Sequence, residues 1–144
     1  MLPHLTYADA IHTALTDAEM APDTLTVNAP AGKIEMTILL QWNDVTLRWS
    51  SEAGWRHEAA HSSGPLPLDH FAAPAAITTT AALLRQGQQP VTHHKRWDAA
   101  QFVDRAISSW TSTRLRGATL TVTDRRRSRF ARVLRRRLVS DTNQ

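Results

Sequence analysis

The chain has 144 residues, with 17 Lys+Arg against 13 Asp+Glu, 42% hydrophobic residues and no cysteine. That length suits one domain with a real core, and the missing cysteines exclude disulfides and thiolate metal sites. The N-terminal MLPHLTYADAIHTAL has no basic stretch followed by an apolar run, so no signal peptide is expected. No segment approaches the roughly 20 apolar residues of a membrane span, and the expected location is the cytoplasm.

Thr6 to Ala21 predicts an amphipathic helix. Thr6 can cap it, with Asp9 three residues on as in a capping box. Tyr7, Ile11, Ala14, Leu15 and Ala18 recur at helical spacing, and Pro22 stops the run. A period of two follows. Leu25 and Val27 alternate with threonines, NAPAG (28–32) is turn material, and Ile34, Met36, Ile38 and Leu40 form an alternating run. Asn43-Asp44 turns the chain into Val45, Leu47 and Trp49, and residues 51–54 turn it again into Trp55, His57 and Ala59. Short connections make such neighbours antiparallel.

SSGPLPL (62–68) reads as a loop. Pro74 opens a helix whose inward stripe is Ile77, Ala81 and Leu84 and which Gly87 ends. Three threonines, Thr78 to Thr80, lower the helix propensity there. Residues 88–96 read as a polar linker. Asp98 then caps a further helix, Gln101 completes a capping box, and Trp97 and Phe102 are spaced for a hydrophobic staple. Phe102, Val103, Ala106, Ile107 and Trp110 form its apolar side. Gly117 marks a turn, Ala118, Leu120 and Val122 read as a strand, and Asp124 caps a last helix.

The predicted class is α+β: an antiparallel three- to four-stranded meander packed by helices, with a C-terminal basic amphipathic helix. Residues 1–144 are expected to form a single domain. If the chain subdivides, residues 1–87 make an acidic body and residues 88–144 a basic extension. Residues 1–87 hold four basic and nine acidic groups, and residues 88–144 hold thirteen and four.

The tyrosine-led YADAIHTAL, the pattern LRWSSEAGW, and PLDHFAAPAAI leading to LLRQG together resemble an uncharacterised actinobacterial domain family. The resemblance covers about the first 60% of the chain. It implies a helix–strands–helix fold and no catalytic or binding residue, because the family has no established activity.

Residues 57–61 read HEAAH, in form the zincin motif, with two histidines to hold zinc and a glutamate to activate water. That chemistry also needs a helix to present the pair and a third ligand. The preceding RWSSEAGWR follows strand alternation, position 67 is proline rather than histidine, and no glutamate follows Glu58. Asp69 and His70 are the nearby candidates for a third ligand, at unfamiliar spacing. We read His57, Glu58 and His61 as a strand end running into a loop, and expect neither a metal nor a cofactor. His93-His94 reads as solvated linker.

Eight of the thirteen residues in RRRSRFARVLRRR (125–137) are arginine. At 100° per residue, Arg125, Arg129, Arg132 and Arg136 fall within an arc of about 60°, spanning roughly 17 Å. Phe130, Val133, Leu134 and Leu138 lie on the other side. Three arginines in the first turn oppose the helix dipole, and cations at i, i+4 repel each other. Bound phosphates would relieve both, since arginine offers a bidentate fork that stays charged. The expected function is a small non-catalytic nucleic-acid-binding or accessory protein, DNA or RNA, that contacts the phosphate backbone through those four arginines. One alternative is an interaction module meeting an acidic protein or anionic membrane surface. A zinc-dependent hydrolase using HEAAH is a further one.

Overall fold

The computed structural model describes residues 2–120, with side chains to residue 114. The elements in chain order are α1 (Leu5–Asp17), β1 (Thr24–Asn28), β2 (Thr37–Gln41), β3 (Val45–Ser50), β4 (Gly54–Ala59), β5 (Ser63–Pro65), α2 (Pro74–Arg85) and α3 (Ala100–Leu120). The five strands form one antiparallel sheet in the order β1-β2-β3-β4-β5. The class is therefore the expected α+β meander with one strand more than predicted. The added strand, β5, lies inside the stretch expected to be loop. Its three residues carry no apolar alternation, so only backbone pairing to Arg56, His57 and Glu58 makes it a strand.

The register sorts the side chains into two faces. One row runs Val27–Ile38–Trp49–Trp55 and another Leu25–Leu40–Leu47–His57. These face the helices: Val27, Ile38, Leu40, Leu47, Trp49 and Trp55 are buried in the core with Tyr7, Ile11 and Leu15 of α1 and Ile77, Ala81 and Leu84 of α2. The opposite face carries the row Thr26–Leu39–Arg48–Arg56–Pro65 and the row Thr24–Gln41–Thr46–Glu58–Ser63. A period of two thus becomes one buried and one wet face.

Tyr7 ties the layers together. Its hydroxyl donates to the carbonyl of Ala72 at 2.7 Å and accepts from Trp55 Nε1 at 3.2 Å. Its ring meets Trp49, Phe71 and Trp55 edge-on and stacks on Trp97 at a centroid distance of 5.1 Å. Burial pushes its phenol well above the ordinary range, so it stays protonated and able to donate. His4 anchors the other end of α1. Its Nε2 lies 3.1 Å from the carbonyls of both Asn28 and Thr37, so it is the protonated nitrogen and donates to the β1–β2 connection.

Several boundaries depart from the sequence expectation. The N-cap of α1 is His4 and not Thr6, and no side chain caps the helix. Leu2 is buried and Leu5 N bonds to the Leu2 carbonyl, so the chain enters the helix two residues early with Thr6 exposed. The same helix stops at Asp17, four residues before Ala21. Glu19 takes a positive φ of 58°, and Met20 N closes back on the Leu15 carbonyl at 2.8 Å. That is a helix-ending motif formed without glycine. Trp42 Nε1 then holds the Met20 carbonyl at 2.9 Å.

The alternation from Ile34 to Leu40 is a strand only from Thr37; before it, Met36 bonds to the β3–β4 turn, accepting from Ser51 N and donating to Ser51 Oγ, each at 2.9 Å, and Ile34 is 39% exposed. The threonines of α2 are accommodated by turning inward on the helix: Thr78, Thr79 and Thr80 donate to the carbonyls of Pro74, Ala75 and Ala76. Residues 88–96 are not a free linker. His93 N bonds to Pro67 O, Ala73 N to Lys95 O and Trp97 N to Phe71 O, which straps this segment along residues 67–73.

The staple at the start of α3 is absent, since Phe102 is 63% exposed while Trp97 turns to Tyr7. Ala100, Val103, Ile107 and Trp110 form the packed side. α3 then runs through Gly117 to Leu120, where a turn and a strand from Ala118 were expected. The local β preference of alternating threonines is a weak prior, and a helix already propagating adds a bond for each residue fixed. Val122, Asp124 and the C-terminal basic helix lie outside the described residues. No helix among the described residues is long and apolar enough to cross a membrane.

Two expectations follow. Burial lowers the His4 pKa from 6.5 to about 4, against the pull of the two carbonyls. The unfolded chain then binds the proton more tightly than the folded one. Stability from this site is complete above pH 6.5 and erodes as the pH falls through about 4, by about 3 kcal/mol in all. Urea unfolding of wild type and His4→Gln between pH 7 and 4 checks this, and the variant should show the shallower decline. Tyr7→Phe should cost about 2 kcal/mol, because it leaves the Ala72 carbonyl and the Trp55 indole unpaired in the core. Its urea midpoint relative to wild type gives that value.

Candidate functional site

The four arginines singled out by sequence, Arg125, Arg129, Arg132 and Arg136, lie outside the described residues, and α3 ends five positions before the first of them. Their setting is the charge of the rest of the chain. Residues 1–120 hold nine Lys+Arg and eleven Asp+Glu, a net of −2, whereas residues 121–144 hold eight and two, a net of +6. Within residues 1–114 two ion pairs draw down the few cations present, Arg48 with Glu35 and Arg85 with Asp44, each at 3.2 Å.

The HEAAH residues lie on β4 and the turn after it. His57 pairs with Leu47, and its side chain is folded against the β4–β5 hairpin. Nδ1 is 3.0 Å from the Gly64 carbonyl and Nε2 is 3.1 Å from the Ser62 hydroxyl. Nδ1 therefore carries the proton and donates, and Nε2 accepts from Ser62. Both ring nitrogens are occupied in fastening the edge strand. Glu58 points to the opposite face and His61 sits in the exposed turn, where Ala59 N closes on the Ser62 carbonyl at 2.8 Å. The zincin arrangement needs both histidines on one helical face, and a strand with a turn does not supply that. No group of three or more His, Asp or Glu among the described residues could hold a metal ion.

Asp69 and His70 serve the loop before α2. Asp69 Oδ1 accepts from Phe71 N at 3.0 Å, and the His70 carbonyl accepts from Trp49 Nε1 at 2.8 Å. The His70 ring meets Trp49 and Phe71 edge-on. Burial lowers its pKa, partly offset by the carboxylates of Asp104 and Asp69, while Arg96 lowers it further. A Cβ on Gly54, whose φ is +75°, would sit 3.3 Å from His70 Nδ1, so both the backbone and the neighbour favour glycine at this turn. Arg96 lies over the Phe71 ring at 5.7 Å. These contacts close the aromatic core and bring no nucleophile to His70.

The wet face of the sheet holds residues that the sequence reading passed over. Arg48 and Arg56 are directly opposite on β3 and β4. Glu35, on the approach to β2, reaches Arg48 with one oxygen and the Ser50 hydroxyl, at 2.8 Å, with the other. Ser50 Oγ in turn accepts from Glu52 N and Ala53 N, which ties this carboxylate to the β3–β4 turn. The signal was available in the sequence. VTLRWS and GWRHEA are joined by a tight turn, and a hairpin centred there sets arginine against arginine. Comparison with protein families, characterised proteins and solved structures finds no match to this chain.

If His57 acts as a latch, His57→Ala should lower stability by about 1–2 kcal/mol, whereas His61→Ala, in an exposed turn, should change it by less than about 0.5 kcal/mol. Dialysis of untagged protein against a chelator should leave the melting temperature unchanged. Stoichiometric zinc that disappears in His61→Ala would restore the metalloenzyme reading.

Proposed function

We propose that this chain is a non-catalytic nucleic-acid-binding protein that contacts phosphate backbones through Arg125, Arg129, Arg132 and Arg136. The observation that carries the reading is the separation of charge. Eight of thirteen residues from 125 to 137 are arginine, behind a body of residues 1–120 that is net acidic. A basic segment on an acidic body is drawn to a polyanion without the body itself being attracted. Arginine rather than lysine supplies all eight cations, which suits bidentate contact with phosphate oxygens. Phosphates would also relieve the crowding of three arginines at 125–127 just after Asp124. No aromatic residue alternates with the arginines on their projected face, so the expected contact is with backbone and carries little sequence preference.

Binding to duplex DNA and to RNA across a salt series, for the whole chain and for a version ending at Asp124, tests this. The whole chain should bind at low salt and the shortened one should not. Replacing Arg125, Arg129, Arg132 and Arg136 singly by glutamine should weaken binding by similar amounts and flatten the salt slope by about one each. Equal binding by the two lengths, or none by either at low salt, would reject the proposal.

A further inference from the structure

The wet face of the sheet is hollowed between β3, β4 and β5 into a groove of about 290 Å³ lined by Leu39, Thr46, Arg48, Arg56, Glu58 and Ser63, with His57 and Gly64 at its edge. Its polar groups are unequally satisfied. Arg48 gives one guanidinium nitrogen to Glu35 and keeps the rest of its donors. Arg56, directly opposite Arg48, has no hydrogen bond or ion pair among the described residues, and neither do Glu58, Thr46 or Ser63 through their side chains. Like charges directly opposite on neighbouring strands destabilise a sheet. An anion seated between the two guanidinium groups reverses the sign of that interaction. Glu58 lies two residues along β4 on the same face, about 7 Å from Arg56 at the usual strand rise. The Arg56–Glu58 pair does not close on itself, although the two groups carry opposite charge. Leu39, half-buried opposite Arg48, gives the groove an apolar floor.

We infer that this groove binds a small molecule with an oxyanion at one end and a hydrogen-bond-donating or cationic group at the other. Arg56, supported by Arg48, takes the oxyanion. Glu58, with Thr46 opposite it on β3, takes the donor end. Arg56 and Glu58 are both exposed on a sheet whose core lies on the other face, so replacing them leaves the fold in place. The site is independent of the arginine segment and stands or falls without it.

The oxyanion is a carboxylate or a phosphate, and the probes separate them. Phosphoethanolamine and β-alanine carry both ends. Inorganic phosphate and acetate carry the anionic end alone. Each is titrated into the whole chain at constant ionic strength, with the backbone amide signals of Arg56, Glu58 and Gly64 followed by NMR. The expected result is saturable shifts at these amides, with a two-ended probe binding at least several-fold more tightly than its one-ended counterpart. Whichever pair binds identifies the oxyanion. Arg56→Gln should abolish the shifts for both members of that pair. Glu58→Gln should remove the advantage of the two-ended probe while leaving the one-ended affinity unchanged or higher. The inference is overturned if no probe gives saturable shifts at the groove amides. It is also overturned if Arg56→Gln binds as wild type does, or if one-ended and two-ended probes bind alike.

Discussion

The hydroxyl of Tyr7 is the point on which the layers of this fold depend. It joins α1 to the sheet through Trp55 and to the loop before α2 through the Ala72 carbonyl, while its ring is surrounded by Trp49, Phe71 and Trp97. A buried hydroxyl is costly unless it is satisfied. Here it is both donor and acceptor, so the same atom that would penalise burial fixes the relative placement of three segments. The strap at residues 88–96 completes the arrangement by bonding its backbone to residues 67–73, which lets Trp97 close over the tyrosine ring.

The strands were largely legible in the sequence because a period of two leaves little freedom. Leu25 and Val27, Val45 to Trp49, and Trp55 to Ala59 all read as strands and are strands. Pro74 and Gly87 bracketed α2 for reasons of backbone geometry that need no tertiary context. The misreadings fall where packing, backbone pairing or helix propagation overrode the local pattern. Thr6 looked like a cap, yet buried Leu2 set where α1 begins. Residues 63–65 carry no pattern, and β4 made them a strand. Phe102 had staple spacing, but Trp97 was claimed by Tyr7. Gly117 and the threonines after it suggested a strand, and the helix simply continued.

The candidate sites were legible to different degrees for the same reason. The arginine segment shows itself by composition, which is a property of the sequence. HEAAH shows itself by spacing, and its spacing misleads because i, i+4 has meaning only on a helix; on β4 it becomes a latch for an edge strand. The groove is visible only after Arg48 and Arg56 are placed opposite each other, and that juxtaposition depends on hairpin register. The cations of the body are spread along it, with Arg48 and Arg85 in ion pairs, whereas the segment past residue 124 concentrates them.

The order of the sheet also has a kinetic meaning. Every strand pairs with its immediate neighbour in sequence, so the widest pairing, Thr24 with Gln41, closes only a short loop. Such contacts form early because little chain entropy is lost in closing them. Tyr7 to Ala72, by contrast, spans 65 residues, and Arg114 to the Pro30 carbonyl spans 84. The sheet is therefore built from local contacts, whereas the packing of α1 and α3 against it closes long loops, at the larger cost in chain entropy.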